Sequence, residues 1–286
     1  MPSSTAWRSK NLPWSSNKGV VAMNLIEENK MFDKMKAGEP VLGCQVRSRS
    51  TLIAEMAAYS GLDYVFIEGE HFVHNIESAE NLIRAVQLGG AVPIMRIPSH
   101  EDGLILQVLE AGVMGVIFPH IDTAEQARHA VNEVKFAPVG HRGYGDSARA
   151  SKYGYVPDEK YLEFVNRNVM CIGMIESQQG IDNLDEILES GIDVLRIGAK
   201  DLSMDLGYGG KVTPEVRKIV EDVCRRISAS KVILGDAGLG GLSSQEDFDY
   251  VRKLGCKMFT VGSDMALVKK ALNSKVAQFA EMKANR

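Results

Sequence analysis

The sequence has no apolar run that approaches the roughly 20 residues a membrane-spanning helix needs. It has no excess of positive charge either, because 33 basic residues stand against 37 acidic ones and the formal net charge is −4. These two absences argue against a membrane protein and against non-specific nucleic-acid binding. We therefore expect neither a membrane nor a nucleic acid among its partners.

Cysteine is also scarce. The four cysteines are scattered along the chain and form no Cys-x-x-Cys pair. Cys44 and Cys171 lie inside apolar, strand-like segments, which indicates buried, unreactive thiols in a reducing compartment. No Gly-x-Gly-x-x-Gly motif follows the first predicted strand, so a dinucleotide-binding fold has little support. We expect a cytoplasmic protein.

The first 22 residues differ in composition from the rest. They are rich in serine, carry three basic residues and contain no acid. They also lack the apolar core of a secretory signal. We expect residues 1–23 to be a disordered tail or an organellar targeting segment, and residues 24–286 to form a single domain.

Beyond residue 40 the chain alternates short apolar runs with amphipathic segments. The eight predicted strands are Val41–Val46, Tyr64–Glu70, Val92–Ile97, Gly115–His120, Met170–Glu176, Val194–Ala199, Val232–Asp236 and Met258–Gly262. The predicted helices are Thr51–Ser60, Ile76–Gln87, Asp102–Glu110, Thr123–Val134, Ile181–Glu189, Pro214–Ser228, Gln245–Leu254 and Ala266–Met282. Eight such units predict an α/β fold, a (β/α)8 TIM barrel, with a doubly wound open sheet as the alternative. An extra amphipathic segment, Asn24–Lys36, is expected to close the lower end of the barrel.

Polar side chains of catalytic type stand at the ends of the predicted strands. Unpaired charge is too costly to bury within such apolar runs, so these side chains must lie where the strands emerge. In chain order they are Gln45, Arg47, Glu68, Glu70, His71, Arg96, His120, Glu176, Asp201, Asp236, Ser263 and Asp264. This pattern is typical of a barrel active site at the carboxyl ends of the strands.

Glu176 and Asp201 follow consecutive strands, which places their carboxylates next to each other. Two hard carboxylates with few other ligands predict a Mg²⁺ or Mn²⁺ site. Arg96 is suited to holding a carboxylate or an enolate oxygen, and its alternative is a structural ion pair. His71 is predicted to be a general base that Glu68 orients.

The segment 136–155 is glycine-rich, basic and too long for a simple connection. We expect this segment to cover or line the site. Its Arg142 and Arg149 would then favour an acidic acceptor.

Several motifs in a fixed order resemble one family. They are GEH, RIP, FPHIDTAEQA, GHRG, MIESQQGIDNLDEI, IGAKDLSMDLGYGG and VGSDMALV, between about Gly43 and Lys269. Together they resemble the HpcH/HpaI aldolase family, metal-dependent class II aldolases of the phosphoenolpyruvate/pyruvate barrel superfamily. The resemblance implies a divalent metal (Mg²⁺, Mn²⁺ or Co²⁺) on Glu176 and Asp201, with His71 as base and Arg96 binding pyruvate.

The resemblance also implies that backbone amides from Ala199 through Lys200 to Asp201 hold the pyruvate carboxylate. Gln45, His120 and Met174 are expected to line the same pocket. The chain departs from the family pattern at several positions. Glu68 stands where the family usually has Asp, Met174 where it has Gln, and Ala199 where Pro is common; the GDAGLGG segment after the seventh strand also differs.

The implied reaction is reversible retro-aldol cleavage of a 4-hydroxy-2-oxo acid to pyruvate and an aldehyde. Three alternatives stay open: a Schiff base on Lys200, condensation or lyase chemistry on an oxo acid such as oxaloacetate, and a barrel that binds metal and ligand without turnover. The last predicted helix presents one apolar face, and the superfamily often exchanges this helix between subunits. A homo-oligomer such as a hexamer is therefore implied by the resemblance.

Overall fold

The computed structural model describes residues 28–72 and 74–284. The predicted tail, residues 1–23, lies outside the described residues, as does the beginning of the predicted N-terminal helix. The strands are β1 Val41–Val46, β2 Tyr64–Glu68, β3 Val92–Arg96, β4 Gly115–Phe118, β5 Met170–Ile175, β6 Val194–Ile197, β7 Ile233–Leu234 and β8 Met258–Ser263.

Twelve helices surround these strands in the described part of the chain. They are α1 Lys30–Lys36, α2 Thr51–Tyr59, α3 Ile76–Leu88, α4 Asp102–Glu110, α5 Ala124–Val134, α6 Asp158–Asn168, α7 Gln178–Asp182, α8 Leu184–Leu188, α9 Ala199–Asp205, α10 Pro214–Ser228, α11 Gln245–Lys253 and α12 Asp264–Ala284. No described helix is long and apolar enough to cross a bilayer.

All eight strands are parallel and pair in the order β7-β6-β5-β4-β3-β2-β1-β8. The two edge strands of this order are also joined by backbone hydrogen bonds. The amide of Lys257 donates to the carbonyls of Leu234 and Gly235 at 3.0 Å each, and the amide of Met258 donates to Gly235 at 2.7 Å. These bonds close the sheet, and the predicted TIM barrel is confirmed.

Two apolar clusters follow from the alternation of side chains along the strands. Inward residues such as Phe66, Ile94, Ile117 and Ile172 fill the barrel. Outward residues pack against the apolar faces of the surrounding helices and form the larger cluster. All four cysteines are free and buried, which confirms the prediction made for Cys44 and Cys171. The core thus occupies the lower and outer parts of the barrel and leaves polar groups at the strand ends.

Helix α1 closes the N-terminal end of the barrel, which confirms the prediction for its described part. Met31, Phe32 and Met35 belong to the same apolar cluster as the inward strand residues. The side-chain amide of Asn29 donates to the carbonyls of Met114 (3.3 Å) and Asn168 (2.8 Å), just before β4 and β5. Its carbonyl oxygen accepts from the Phe32 amide and caps the helix. The catalytic chemistry must therefore lie at the opposite end.

The long segment 136–155 lies at this N-terminal end, so the prediction that it covers or lines the site is wrong. Arg149 donates to the carbonyl of Ala111, just after α4, and Arg142 forms an ion pair with Glu110 in the last turn of α4. Both contacts are with the end of a helix that leads into the next strand. Arg142 and Arg149 therefore give no support to an acidic acceptor. The segment is followed by α6, a helix that was not predicted.

Three other elements differ from the prediction. Helix α9 was not predicted, and its first residue, Ala199, was expected to end the sixth strand. β7 has two residues instead of five, although the Gly235 amide still donates to Leu195 in β6 at 2.8 Å. The single helix predicted over 181–189 is instead two short helices, α7 and α8, that meet at Asn183. The Asn183 side chain donates to the carbonyl of Asp122 at 2.8 Å and joins the break to the preceding unit.

Candidate active site

Glu68 and Arg96 form the central ion pair at the C-terminal end of the barrel. They end β2 and β3 and are direct register partners. Arg96 Nε donates to Glu68 Oε1 at 3.0 Å and Nη2 donates to Oε2 at 2.6 Å, so the guanidinium and the carboxylate meet edge to edge. Both residues are buried. This two-point contact fixes the plane of the Arg96 fork at the barrel mouth.

Glu68 accepts further hydrogen bonds. Gln45 Nε2 donates to Oε2 at 2.7 Å, and the backbone amide of Glu70 donates to Oε1 at 2.9 Å. Burial alone would raise the pKa of Glu68, but the hydrogen bonds and charge of Arg96, with the backbone amides of Glu70 and His71, outweigh it and lower the pKa. The carboxylate is thus held ionised between Gln45 and Arg96.

His71 lies differently from the expected arrangement. Its ring is 60% exposed, and its Nε2 lies 3.7 Å from Glu70 Oε2. Glu68 accepts a hydrogen bond from the backbone amide of His71 and not from its ring. Both oxygens of Glu68 also accept hydrogen bonds from Arg96, and one of them from Gln45. The structure therefore places Glu70, and not Glu68, beside the imidazole of His71.

Glu70 stands at a strand end and has a larger part in the site than the sequence predicts. Its Oε2 lies 2.7 Å from Arg96 Nη1, and its Oε1 lies 3.5 Å from His120 Nε2. It therefore connects the guanidinium of Arg96 with the imidazoles of His71 and His120. The signal in the sequence is the run EGEH, residues 68–71, in which two carboxylates separated by one glycine leave a strand end toward the same mouth.

Glu176 follows β5 and, like Glu68, is an enclosed acid of the site, with its side chain 1% exposed. The backbone amide of His120 donates to its Oε1 at 2.8 Å, and the His120 ring Nδ1 lies 3.3 Å from the same oxygen. His120 has a φ of 51°, in the left-handed region that non-glycine residues seldom adopt. This backbone conformation aims both groups of His120 at Glu176.

Asp201 lies in the first turn of α9, directly after β6, and is exposed. Burial raises the pKa of Glu176 first, and the negative charges of Asp201 and Glu70 add to the rise, although His120 opposes them. The carboxylate of Asp201 is therefore close enough to influence the charge of Glu176. A bound cation would relieve this repulsion, so this donor set fits a hard divalent metal.

The turn between β6 and α9 is shaped around Glu176. A Cβ atom on Gly198 would lie 2.4 Å from Glu176 Oε2, which leaves room for glycine alone. Ala199 is buried behind the turn, and Lys200 is exposed beside Asp201. The turn therefore brings the start of α9 against the buried acid.

The remaining predicted residues divide into lining and structural groups. Met174 Sδ accepts a contact from Arg96 Nη1 at 3.6 Å, so Met174 does face the site. Asp264 accepts from the amides of Arg47 (3.0 Å) and Ser48 (3.1 Å), which fixes the end of β1. Its role is thus structural.

Asp236 is paired with a residue that the sequence analysis did not single out. Arg196, inside β6, donates from Nη2 to Asp236 Oδ2 at 2.9 Å and is buried in the barrel. Its guanidinium carbon lies 5.0 Å from the centre of the Phe66 ring. The sequence does contain a signal for this pair, because Arg196 is a charged residue at an inward position of an otherwise apolar strand.

A separate group of ligand-type side chains lies on the outer helices. Asp102 at the start of α4 and His129 and Glu133 on α5 have ligand atoms within 4.8 Å of one another. His129 Nε2 lies 3.1 Å from Asp102 Oδ1. These three residues are distinct from the predicted metal pair.

Comparisons with known proteins show the family of the chain. The family model described as HpcH/HpaI aldolase/citrate lyase matches residues 42–271. The 2-keto-3-deoxy-L-rhamnonate aldolase of Escherichia coli O9:H4 (strain HS) is 35% identical over 260 residues, which cover 90% of this chain and 95% of that protein.

Two solved structures are similar over most of the chain. An HpcH/HpaI aldolase/citrate lyase family protein from Burkholderia cenocepacia J2315 has a TM-score of 0.80 at 27% identity, covering 88% of this chain and 99% of that one. The citrate synthase SbnG has a TM-score of 0.80 at 26% identity, covering 91% of this chain and 100% of that one.

Proposed function

Because the chain belongs to the HpcH/HpaI aldolase/citrate lyase family, we propose that it is a carbon–carbon lyase that cleaves a 4-hydroxy-2-oxo acid to pyruvate and an aldehyde. The observation that carries the proposal is the enclosed Glu176 with Asp201 beside it. The buried Arg96 and the two imidazoles of His71 and His120 complete the same barrel mouth.

We propose that Glu176 and Asp201 hold a divalent metal, Mg²⁺ or Mn²⁺, with Co²⁺ as a further candidate. Two carboxylates that repel each other at the mouth of a barrel are the donor set that such ions prefer. When bound, the metal supplies Lewis-acid polarisation of the substrate's 2-oxo group. The backbone amides of residues 199–201 are proposed to hold the substrate carboxylate.

Side chains of the protein carry out the proton transfer and stabilise the enolate. His71, exposed at the mouth beside Glu70, accepts the proton of the 4-hydroxyl group. The C3–C4 bond then breaks, its electron pair forms the enolate, and the aldehyde leaves. Arg96 stabilises the enolate oxygen, and return of the proton to C3 gives pyruvate. Glu70 orients His71, which assigns it the role first expected of Glu68.

Chelation tests the proposal directly. Removal of divalent metal should abolish cleavage, and Mg²⁺ or Mn²⁺ should restore it. Glu176→Gln and Asp201→Asn should each lower kcat/KM about a hundredfold or more, because the polarising ion contributes several kcal/mol. Glu189→Gln, an exposed residue at the end of α8, is the matched control and should keep full activity. Cleavage that continues in the presence of chelator would contradict the proposal.

A second candidate is condensation on an oxo acid such as oxaloacetate through the same enolate. It is favoured by the likeness to a citrate synthase over nearly the whole chain. Product analysis by mass, with pyruvate plus aldehydes in one reaction set and oxaloacetate in another, separates the two candidates. Exchange of the pyruvate methyl protons would be common to both reactions and absent from a barrel that only binds ligand.

The Schiff-base alternative on Lys200 is tested in the same preparation. Lys200 is exposed in the first turn of α9. A Schiff-base enzyme would be trapped covalently by borohydride in the presence of pyruvate. We expect no adduct and no effect of Lys200→Gln on metal dependence.

We propose that the protein is a homo-oligomer assembled through α12. Leu272, Val276, Phe279 and Met282 on this helix are all exposed in the single chain, and Val276 and Phe279 are each 70% exposed. Apolar side chains of this size on one helix are expected to be covered by another subunit. A hexamer is the assembly that the family resemblance implies.

A further inference from the structure

A cavity of about 530 Å³ lies at the N-terminal end of the barrel, opposite the candidate active site. Its apolar wall includes Val92 and Pro93 at the start of β3, Leu109 at the end of α4, and Phe164 on α6. Cavities that hold small metabolites fall in this range of volume and are mainly apolar with a few polar groups. The polar groups of this cavity are mostly cationic.

Five basic residues line the cavity, and Glu28 is the acidic residue among the lining residues described. The basic residues are Lys30, Arg84, Arg142, Arg149 and Lys152. Two acids just behind the wall neutralise part of this charge. Glu110 Oε1 lies 2.8 Å from Arg142 Nη2, and Glu80 pairs with Arg84.

Arg142 is the deepest of these cations. Its side chain is 1% exposed, and Nη2 also donates to the hydroxyl of Tyr161 at 3.1 Å. Its Nε is buried and has no hydrogen-bond partner among the described residues, and neither has the second oxygen of Glu110. Buried polar atoms without partners are uncommon in folded proteins, and they indicate a group that a water or ligand satisfies.

Arg149 has no acidic partner among the described residues. Its Nη1 donates to the Ala111 carbonyl and its Nη2 to Gln87 Oε1, both at 2.6 Å, and no carboxylate of the described residues forms an ion pair with it. Burial lowers the pKa of Arg149, and the nearby positive charge of Arg84 lowers it further. A half-buried cation beside a second cation is destabilised unless an anion lies between them.

We propose that this cavity binds a small organic anion, with its carboxylate or phosphate group between Arg84 and Arg149 and its apolar part against β3 and α4. Arginine forks match the two-oxygen edge of carboxylates and phosphates. The apolar wall gives the rest of the molecule a surface to cover, and the buried Arg142 can donate a further hydrogen bond from Nε. The site is separate from the proposed metal pair, which lies at the other end of the barrel.

Titration calorimetry on the full-length, metal-loaded protein tests this site, with 3-phosphoglycerate and inorganic phosphate as probes and saturating pyruvate present. We expect saturable binding of one 3-phosphoglycerate per chain, and weaker binding of phosphate, which has no organic part. Arg149→Gln should weaken binding about tenfold or more, since a charge-assisted two-point contact is lost. Arg84→Gln should weaken it as well.

Two variants act as controls. Arg225→Gln removes the same charge from α10, where Arg225 is 72% exposed and pairs with Asp222, and should leave the affinity unchanged. Asp201→Asn alters the proposed metal site and should also leave it unchanged. If Arg149→Gln fails to fold, Arg84→Gln replaces it in the test, because the Arg84 side chain is 46% exposed and its loss should disturb the fold less.

Three results would overturn the proposal. These are no saturable heat with either probe, probe binding that pyruvate or Asp201→Asn abolishes, and equal affinity in the wild type and Arg84→Gln. None of these results bears on metal-dependent cleavage, so this site can fail while the proposed lyase activity stands.

Discussion

Glu68 and Arg96 bury one negative and one positive charge at the barrel mouth. Removing two charges from water is costly, and the cost is met here by two parallel hydrogen bonds, the Gln45 amide and a backbone amide. If one partner loses its charge, the other remains desolvated and unbalanced. The pair is therefore a sensitive point of the fold as well as part of the candidate site.

Replacing Glu68 by Gln should cost about 3–5 kcal/mol of folding free energy, as expected for a broken buried pair. Urea unfolding of the wild type and the variant measures the difference. Glu163→Gln, which removes the acid of an exposed pair with Arg167, serves as the control and should change stability little. A cost for Glu68→Gln as small as that of the control would show that the pair adds nothing to folding.

The same pair predicts how stability depends on pH. Because Arg96 and the backbone amides lower the pKa of Glu68 below its ordinary value of 4.5, the ionised carboxylate stabilises the folded state above that value. The contribution is lost as the pH falls through the lower, folded-state pKa. The stability difference between wild type and Glu68→Gln should therefore be full at neutral pH and should shrink below 4.5. A difference independent of pH would contradict the assignment.

At the scale of the elements, the turn from β6 into α9 determines how closely Asp201 approaches Glu176. Gly198 has a φ of −85°, which alanine adopts without strain, so only the contact with Glu176 excludes a side chain. A methyl group there must displace the Glu176 carboxylate. The glycine is thus needed for the position of the acid and not for the backbone.

Gly198→Ala should fold normally and lose activity by about tenfold to a hundredfold, in the range seen when a metal ligand is poorly oriented. Circular dichroism and turnover at rising Mg²⁺ concentration measure the two effects. Gly103→Ala on α4 meets open space and should keep full activity, with stability raised by up to about 1 kcal/mol. Unchanged turnover and metal requirement in Gly198→Ala would show that Glu176 does not need its present position.

The sequence predicted the strand ends well because an apolar run must expel its charges where it meets water. Glu68, Arg96 and Glu176 all lie at the mouth for this reason. The pairing among them was not predictable, because it depends on which side chain lies opposite another across the barrel. The sequence therefore gives Glu70 no role. It also predicts that Glu68 orients His71, whereas in the structure Glu68 binds Arg96.

The long segment 136–155 shows a different source of error. Its glycines and arginines suggested a cover for the site, but composition does not say at which end of a barrel a loop lies. The order of the elements along the chain gives that information. A segment between the helix of one unit and the strand of the next unit lies at the N-terminal end of the barrel. Arg142 and Arg149 accordingly line the cavity at that end.

For the molecule as a whole, α12 is the element that the single chain leaves uncovered. Its apolar residues are exposed along most of its length, and three large side chains of α2, Leu52, Met56 and Tyr59, are exposed as well. An isolated chain would present this surface to water. Assembly with further copies of the chain would bury it.

Light scattering after size-exclusion chromatography should show an oligomer for the wild type. Phe279→Glu places a charge on the apolar face of α12 and should shift the mass toward the single chain, because a charge in a buried interface has no partner. Gln278→Glu adds the same charge to the neighbouring position of the helix and should leave the mass unchanged. An oligomer that withstands Phe279→Glu would place the interface elsewhere.

The shortest strand, β7, also decides where the barrel is easiest to open. This strand has two residues, and three backbone hydrogen bonds from Lys257 and Met258 join it to the start of β8. These few bonds close the barrel between β6 and β8. Deuterium should therefore replace amide hydrogen at Lys257 and Met258 sooner than at the amides of β2 or β5, which lie deep within the ladder. Transient separation of β7 from β8 would break the ion pair between Asp236 and Arg196. It would admit solvent to the barrel interior while the other strands stay folded.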